Sequence, residues 1–437
     1  MTYTNFIPLI GPFHWVAKEM GMECVQTVSF PKMQDNEQHI KANDPNAPDV
    51  VLYPNELLDD FNFSLDEHRK LFIENNLKKT DFVFGLPPCS GFSQMSTKTG
   101  ADQKANICMI ELIKYYLVSD SDILLFENAP GLAGEKGQVF LRDYVYKMLE
   151  ENNLTDIYKF NLIKTDTDQH GLPQHRPRTF LIMYKSDKHK KIIYNKKIEC
   201  KKIEDLFKDL SFEENESSQH FYLRSKYSDD FLSFINESDK AKKVLEEIKE
   251  KFKDKRDWRY DIISTFARKV LDNEDVLDEK YPTVYEGLTK LKSKIISKGA
   301  FTFRDSGPIL FKDYTSAIVG KNNWNLVREF DGRYRYLTMR EKMRLMGYPD
   351  SFMIVNPVKN NNHICQNAPL TTVKSSIEWA IQIFNNENVE DIDLNKKGIF
   401  LFQNNTKSDM TNELYYYNNG FIKLNKIIEK DIFDGYI

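Results

Sequence analysis

The sequence predicts an α/β protein, with a doubly wound, mostly parallel sheet and a second, smaller domain. Three observations predict it. Short apolar runs of strand length alternate with helix-length stretches over residues 1–185, the alternation breaks near Ser186, and it resumes near Tyr336. Strands separated by helices pair in parallel through crossovers, which leaves helices on both faces of the sheet. A length of 437 residues also exceeds one ordinary domain of roughly 150 residues.

The elements follow in order. Asn5–Ile10 is an apolar run closed by Gly11-Pro12, and Trp15–Met20 is helical. Glu23–Phe30 and Val50–Tyr53 read as strands, the second stopped by Pro54-Asn55. Asp81–Phe84 is a strand that runs into Pro87-Pro88-Cys89. Ile107–Leu117 has the pattern of an amphipathic helix, and Asp122–Phe126 is a buried strand ending at Glu127. Helix Leu141–Asn152 and strands Tyr158–Ile163 and Thr179–Tyr184 complete the first part, residues 1–185. Residues 186–330 read as the second domain, 331–386 as the returning part of the first, and 387–437 as a strand-rich extension. Val373–Phe384 is expected to be a long helix.

Composition narrows the class. Hydrophobic residues at 41% support a sizeable core, and a net charge of −4 requires that any binding of a polyanion rest on a local basic face. The five cysteines, Cys24, Cys89, Cys108, Cys200 and Cys365, form no C-x-x-C pair, which argues against zinc and against a disulfide framework. No run reaches the roughly 18 apolar residues of a membrane span. The expectation is a cytoplasmic protein without membrane or metal.

Three segments carry chemistry. Gly85-Leu86-Pro87-Pro88-Cys89-Ser90-Gly91 places a thiol at the carboxyl end of a strand, where open α/β sheets bind ligands. A free cysteine is also commonly a small buried hydrophobe. Phe126-Glu127-Asn128-Ala129-Pro130-Gly131 delivers a carboxylate to the same edge, as an acid for a ring nitrogen or as a capping residue. Gln174-His175-Arg176-Pro177-Arg178 sets two arginines on one side of a strand, as a clamp for phosphate or base or as solvated charge.

Together these segments resemble the DNA cytosine-5 methyltransferase family. Pro-Pro-Cys-Ser-Gly-Phe-Ser, Glu-Asn-Ala-Pro and Gln-His-Arg-Pro-Arg occur in that family's order. Arg335-Tyr336-Leu337-Thr338-Met339-Arg340-Glu341 through Gly347-Tyr348-Pro349 is similar to its next block, and Gln366-Asn367-Ala368-Pro369 to its last. The resemblance implies a Rossmann-like methyltransferase fold in which residues 186–330 recognise the target. It also implies that Cys89 attacks C6 of a cytosine flipped out of double-stranded DNA, that Glu127 serves ring N3, and that Arg178 and Arg176 contact the base or its phosphates. Asn128, Arg340, Glu341 and Arg344 are expected to be architectural.

The family's donor is S-adenosylmethionine, and here the pattern departs. Where a D-L-F-x-G-x-G-G loop belongs, this chain has Phe6-Ile7-Pro8-Leu9-Ile10-Gly11-Pro12-Phe13. The second strand ends in Phe30 instead of an acid, and the third in Tyr53-Pro54-Asn55 instead of an aspartate. The expected donor site is Ile10, Gly11, Phe13, Phe30, Asn55, Pro87 and Asn367, with His14 and Trp15 lining an altered pocket. The function expected is modification of cytosine C5 in DNA by a monomer, through methyl transfer or a related one-carbon transfer from an unusual donor. RNA methylation and cytosine capture without turnover are the alternatives. Lysines in 185–202 and Lys255-Arg256-Asp257-Trp258-Arg259-Tyr260 are candidate phosphate contacts.

Overall fold

The computed structural model describes residues 1–93, 96, 98–186, 189–191, 198–210, 214, 219–223, 226–251, 253, 269, 272, 279–289, 309–318, 326–387, 390–392, 399–405, 411–417 and 421–427. The segment Lys255–Tyr260 and most of the lysine-rich stretch lie outside them. The chain forms two units: Met1–Gly171 with Pro177–Glu199 and Asn367–Ile437, and Leu172–Arg176 with Cys200–Gln366.

The first unit is built on strands β1 (Thr2–Phe6), β2 (Glu23–Ser29), β3 (Val50–Leu52), β4 (Phe82–Gly85), β5 (Ile123–Asn128), β6 (Tyr158–Asp166) and β7 (Pro177–Lys185). Three C-terminal strands join them: β8 (Ile399–Asn405), β9 (Thr411–Tyr417) and β10 (Phe421–Ile427). The sheet order is β10-β9-β8-β6-β7-β5-β4-β1-β2-β3. β3, β2, β1, β4 and β5 are mutually parallel, and β7 enters antiparallel between β5 and β6. The C-terminal extension is part of this sheet, since β8 pairs in parallel with β6.

Every residue of β4 and β5 is buried, as expected for central strands covered on both faces. On one face, helix α1 (Pro12–Glu19) stacks Phe13 on Phe84 of β4 at 5.3 Å, and helix α2 (Ile107–Ser119) packs on the other. Gly85 makes that second contact possible, because a Cβ there would meet Leu112 Cδ2 at 2.4 Å. α2 buries nearly its whole circumference, including Glu111 and Lys114. Those charges are compensated: Glu111 pairs with Lys114 at 2.8 Å and with His68 at 2.7 Å. From β1 the chain runs outward to β2 and β3, then crosses back to β4. The gap between the carboxyl ends of β1 and β4 is thus the switch point where such sheets take ligands.

The last helix, α3 (Leu370–Asn385), is pinned from the far end of the sequence. His170 bridges Thr165 Oγ1 at 2.7 Å and Ser375 Oγ at 2.9 Å, edge-on to Trp379. Burial pushes its imidazole down from 6.5 to about 4. The unfolded chain therefore binds a proton that the folded chain refuses between these values, and stability is lost as pH falls from 6.5 to about 4. Urea unfolding is expected to show a loss of about 3 kcal/mol across that window, absent from His170→Gln.

Candidate active site

Cys89 lies four residues beyond the end of β4 and is partly exposed. Its loop is held from three sides. Phe92 N–H donates to the Cys89 carbonyl at 3.1 Å, and Gly100 N–H donates to the Gly91 carbonyl at 3.0 Å. Asn106 at the start of α2 donates to the carbonyls of Gly100 and Ala101 at 2.8 and 2.9 Å. It sits so close that a Cβ on Gly91 would fall 2.0 Å from its Oδ1, which is why glycine follows the Cys-Ser pair. No motif announced Asn106; the tight turn at Gly91 was its one indirect signal.

The neighbouring strand brings Glu127. β4 and β5 pair in parallel with Gly85 opposite Phe126, so both loops leave the same edge side by side. They touch: Asn128 Nδ2 donates to the Pro87 carbonyl at 3.5 Å, and a Cβ on Gly131 would meet the Phe92 carbonyl oxygen at 2.3 Å. Asn128 is thus architectural.

Arg178 reaches the same place from the antiparallel strand. Glu127 lies opposite Phe180, and Arg178, two residues away, projects on the same face as its diagonal neighbour. Arg178 Nε stands 2.7 Å from Glu127 Oε1, with the two side chains 13% and 4% exposed. At that burial the guanidinium holds the carboxylate in one position, and removal of either partner leaves a buried charge. The structure therefore brings Cys89, Glu127 and Arg178 to one sheet edge.

Arg176 is placed differently from the expectation. It belongs to the other unit and is fully buried, donating to the carbonyls of Ile318 at 2.8 Å and Cys365 at 2.5 Å. A guanidinium committed to backbone carbonyls is a structural cross-link, not a clamp on base or phosphate. The two arginines look equivalent in sequence, but the boundary between the units falls between them.

The expected donor residues surround the switch point and are mostly core. Ile10 is 1% exposed, Phe13 and Phe30 are 0% exposed, and Pro87 is buried. Asn367 is fully buried. Gly11 has φ 84, and Ile7 and Leu9, both at φ 49, also adopt the left-handed backbone that glycine ordinarily supplies. Phe30 stands edge-on to Phe6 at 5.9 Å and to Tyr53 at 6.4 Å. Asn55 accepts from Lys32 N–H at 3.2 Å. His14 and Trp15, expected to line an altered pocket, are each tied to side chains of the same unit. His14 is held between Tyr3 Oη and Asp44 Oδ2, each at 2.9 Å, and Trp15 Nε1 donates to Glu19 at 2.9 Å. Among the described residues no group of His, Cys, Asp or Glu could hold a metal, and no helix is long and apolar enough to cross a membrane.

A family model described as C-5 cytosine-specific DNA methylase matches residues 46–382. Type II methyltransferase M1.BsuMI of Bacillus subtilis (strain 168) is 26% identical over 114 residues, covering 26% of this chain and 25% of that protein. The match thus spans about a quarter of that relative's length. Type II methyltransferase M.FnuDI of Fusobacterium nucleatum is 21% identical over 289 residues, covering 64% of this chain and 70% of its own. Among solved structures, a DNA modification methyltransferase encoded within a prophage (E. coli) superimposes with a TM-score of 0.52 at 18% identity, covering 89% of this chain and 100% of its own. That likeness is one of fold.

Arg176→Ala is expected to destabilise the protein by about 3 kcal/mol in urea unfolding, because two buried carbonyls lose their donors. Arg176→Lys is expected to recover only part of this, since one ammonium cannot reproduce the planar fork.

Proposed function

Because the chain belongs to the C-5 cytosine-specific DNA methylase family, we propose that Cys89 adds covalently to C6 of a cytosine flipped out of duplex DNA and thereby activates C5. The chain is a DNA cytosine methyltransferase-like transferase, of the kind found in restriction-modification. The observation that carries the covalent reading is the ion pair of Glu127 and Arg178 beside the Cys89 loop.

In this reading the Cys89 thiolate forms the S–C6 bond, and the electron pair of the C5–C6 double bond is delivered toward C5 and the ring. Glu127 hydrogen-bonds or protonates N3, offsetting the charge that addition builds there. Arg178 holds the Glu127 carboxyl in place. An electron-rich C5 accepts a one-carbon group, after which loss of the C5 proton and expulsion of the thiolate restore the ring. The family generally uses S-adenosylmethionine; a methyl group from it, or a related one-carbon group from another donor, completes the transfer. The unit containing most of 186–330 supports target reading, as the part of the chain outside the catalytic sheet.

Nucleoside mass spectrometry of DNA from cells expressing the protein tests this. A C5-substituted cytosine is expected with the native chain and is expected to vanish in Cys89→Ala. Glu127→Gln is expected to lower its rate of formation by about 10²–10⁴. An unchanged product from Cys89→Ala would rule out the covalent route.

A further inference from the structure

Ile7, Phe30 and Tyr53 follow the carboxyl ends of β1, β2 and β3 at the switch point, and all three are fully buried. We propose that the switch point holds no adenosyl donor, so that S-adenosylmethionine neither assists nor competes with capture of cytosine by Cys89; this rests on the cytosine chemistry above.

A sulfonium nucleoside makes three demands on such a crevice. Its methionine part needs backbone that can be approached closely, its ribose diol needs an acceptor, and its adenine needs an open slot. The β1 loop takes the left-handed backbone at Ile7 and Leu9, both at φ 49, and at Gly11, at φ 84. Two of these three turns carry bulky side chains, and that of Ile7 is 0% exposed within the core. At the end of β2, where the diol would find its acceptor, stands Phe30, also 0% exposed. Beyond β3, Tyr53 is surrounded by Phe6, Phe30, His68 and Tyr115, with ring centroids 5.4 to 6.4 Å away. Ile7, Phe30 and Tyr53 each come from a different strand end, and, being fully buried, none offers a sulfonium nucleoside an open face.

The chemistry side is not closed. Cys89 is partly exposed, and Glu127 is held by Arg178 beside its loop. Addition therefore needs nothing from the donor crevice. The thiolate forms the S–C6 bond and C5 takes a proton from water. Reversal removes a C5 hydrogen, breaks the S–C6 bond and returns the thiolate. Atoms and electrons balance, and the net result is exchange of the C5 hydrogen with solvent.

Two measurements on the full chain test the proposal. Calorimetry with S-adenosylmethionine and S-adenosylhomocysteine at about 1 mM is expected to show no binding. Random-sequence duplex DNA carrying tritium at cytosine C5 is expected to release it with the native chain and not with Cys89→Ala. Added S-adenosylmethionine is expected to change that rate by less than about two-fold, since a ligand that does not bind cannot couple. A micromolar dissociation constant, or release that requires the sulfonium compound, overturns the proposal. Absence of release under both conditions sinks the cytosine chemistry itself, while the calorimetry alone decides on the donor.

Discussion

The ion pair between Glu127 and Arg178 depends on one strand running against its neighbours. In an all-parallel sheet, carboxyl ends collect on one edge and amino ends on the other. A residue at the start of a strand is then far from one at the end of the next. Because β7 is antiparallel to β5, its first residues lie beside the last residues of β5, and Arg178 meets Glu127 at 2.7 Å. Insertion of β7 between β5 and β6 thus carries a cation to the edge that already holds the thiol loop.

In the second unit, the segment from Arg335 to Pro349 is held by a dense set of side-chain contacts. Thr338 caps its helix by accepting from Glu341 N–H at 3.2 Å, while Glu341 returns to Thr338 N–H at 2.8 Å. Arg335 binds the same carboxylate at 2.7 and 2.9 Å. Arg340 donates to the carbonyls of Pro349 and Phe352, and Arg344 pairs with Asp209 and Asp350. Arg335, Arg340, Glu341 and Arg344 are thus each engaged with backbone or with another charge.

Much of this was legible in the sequence. Strands with apolar runs, such as Ile123–Asn128, declare themselves because burial on both faces demands it. The helix beginning at Met339 was legible from Leu-Thr-Met-Arg-Glu, whose capping residues sit at fixed spacing. At Cys89 and Glu127 the strand ends offered candidates beside the readings of a buried thiol and a capping residue, and the resemblance chose between them. What remained hidden depends on distant partners. Arg176 and Arg178 stand two apart in sequence, and only the tertiary contacts of Ile318 and Cys365 separate their fates. His14 read as a pocket residue because its partners, Tyr3 and Asp44, lie on separate elements. The terminal strands read as an appendage because nothing local shows that β8 pairs with β6.

The pinning of α3 by His170 has a consequence for how the protein is made. Ser375 is 205 residues from His170, and Phe384 covers Phe82 at 5.1 Å from still farther along the chain. At a translation speed of about 5–20 residues per second, the interval between the emergence of β7 and that of α3 is on the order of 10–40 s. For that time the sheet exists on the ribosome without its last cover, and its long-range contacts are of the kind that form slowly. Nascent chains therefore pass through a period of exposed apolar surface, when chaperone binding and self-association compete with completion of the fold.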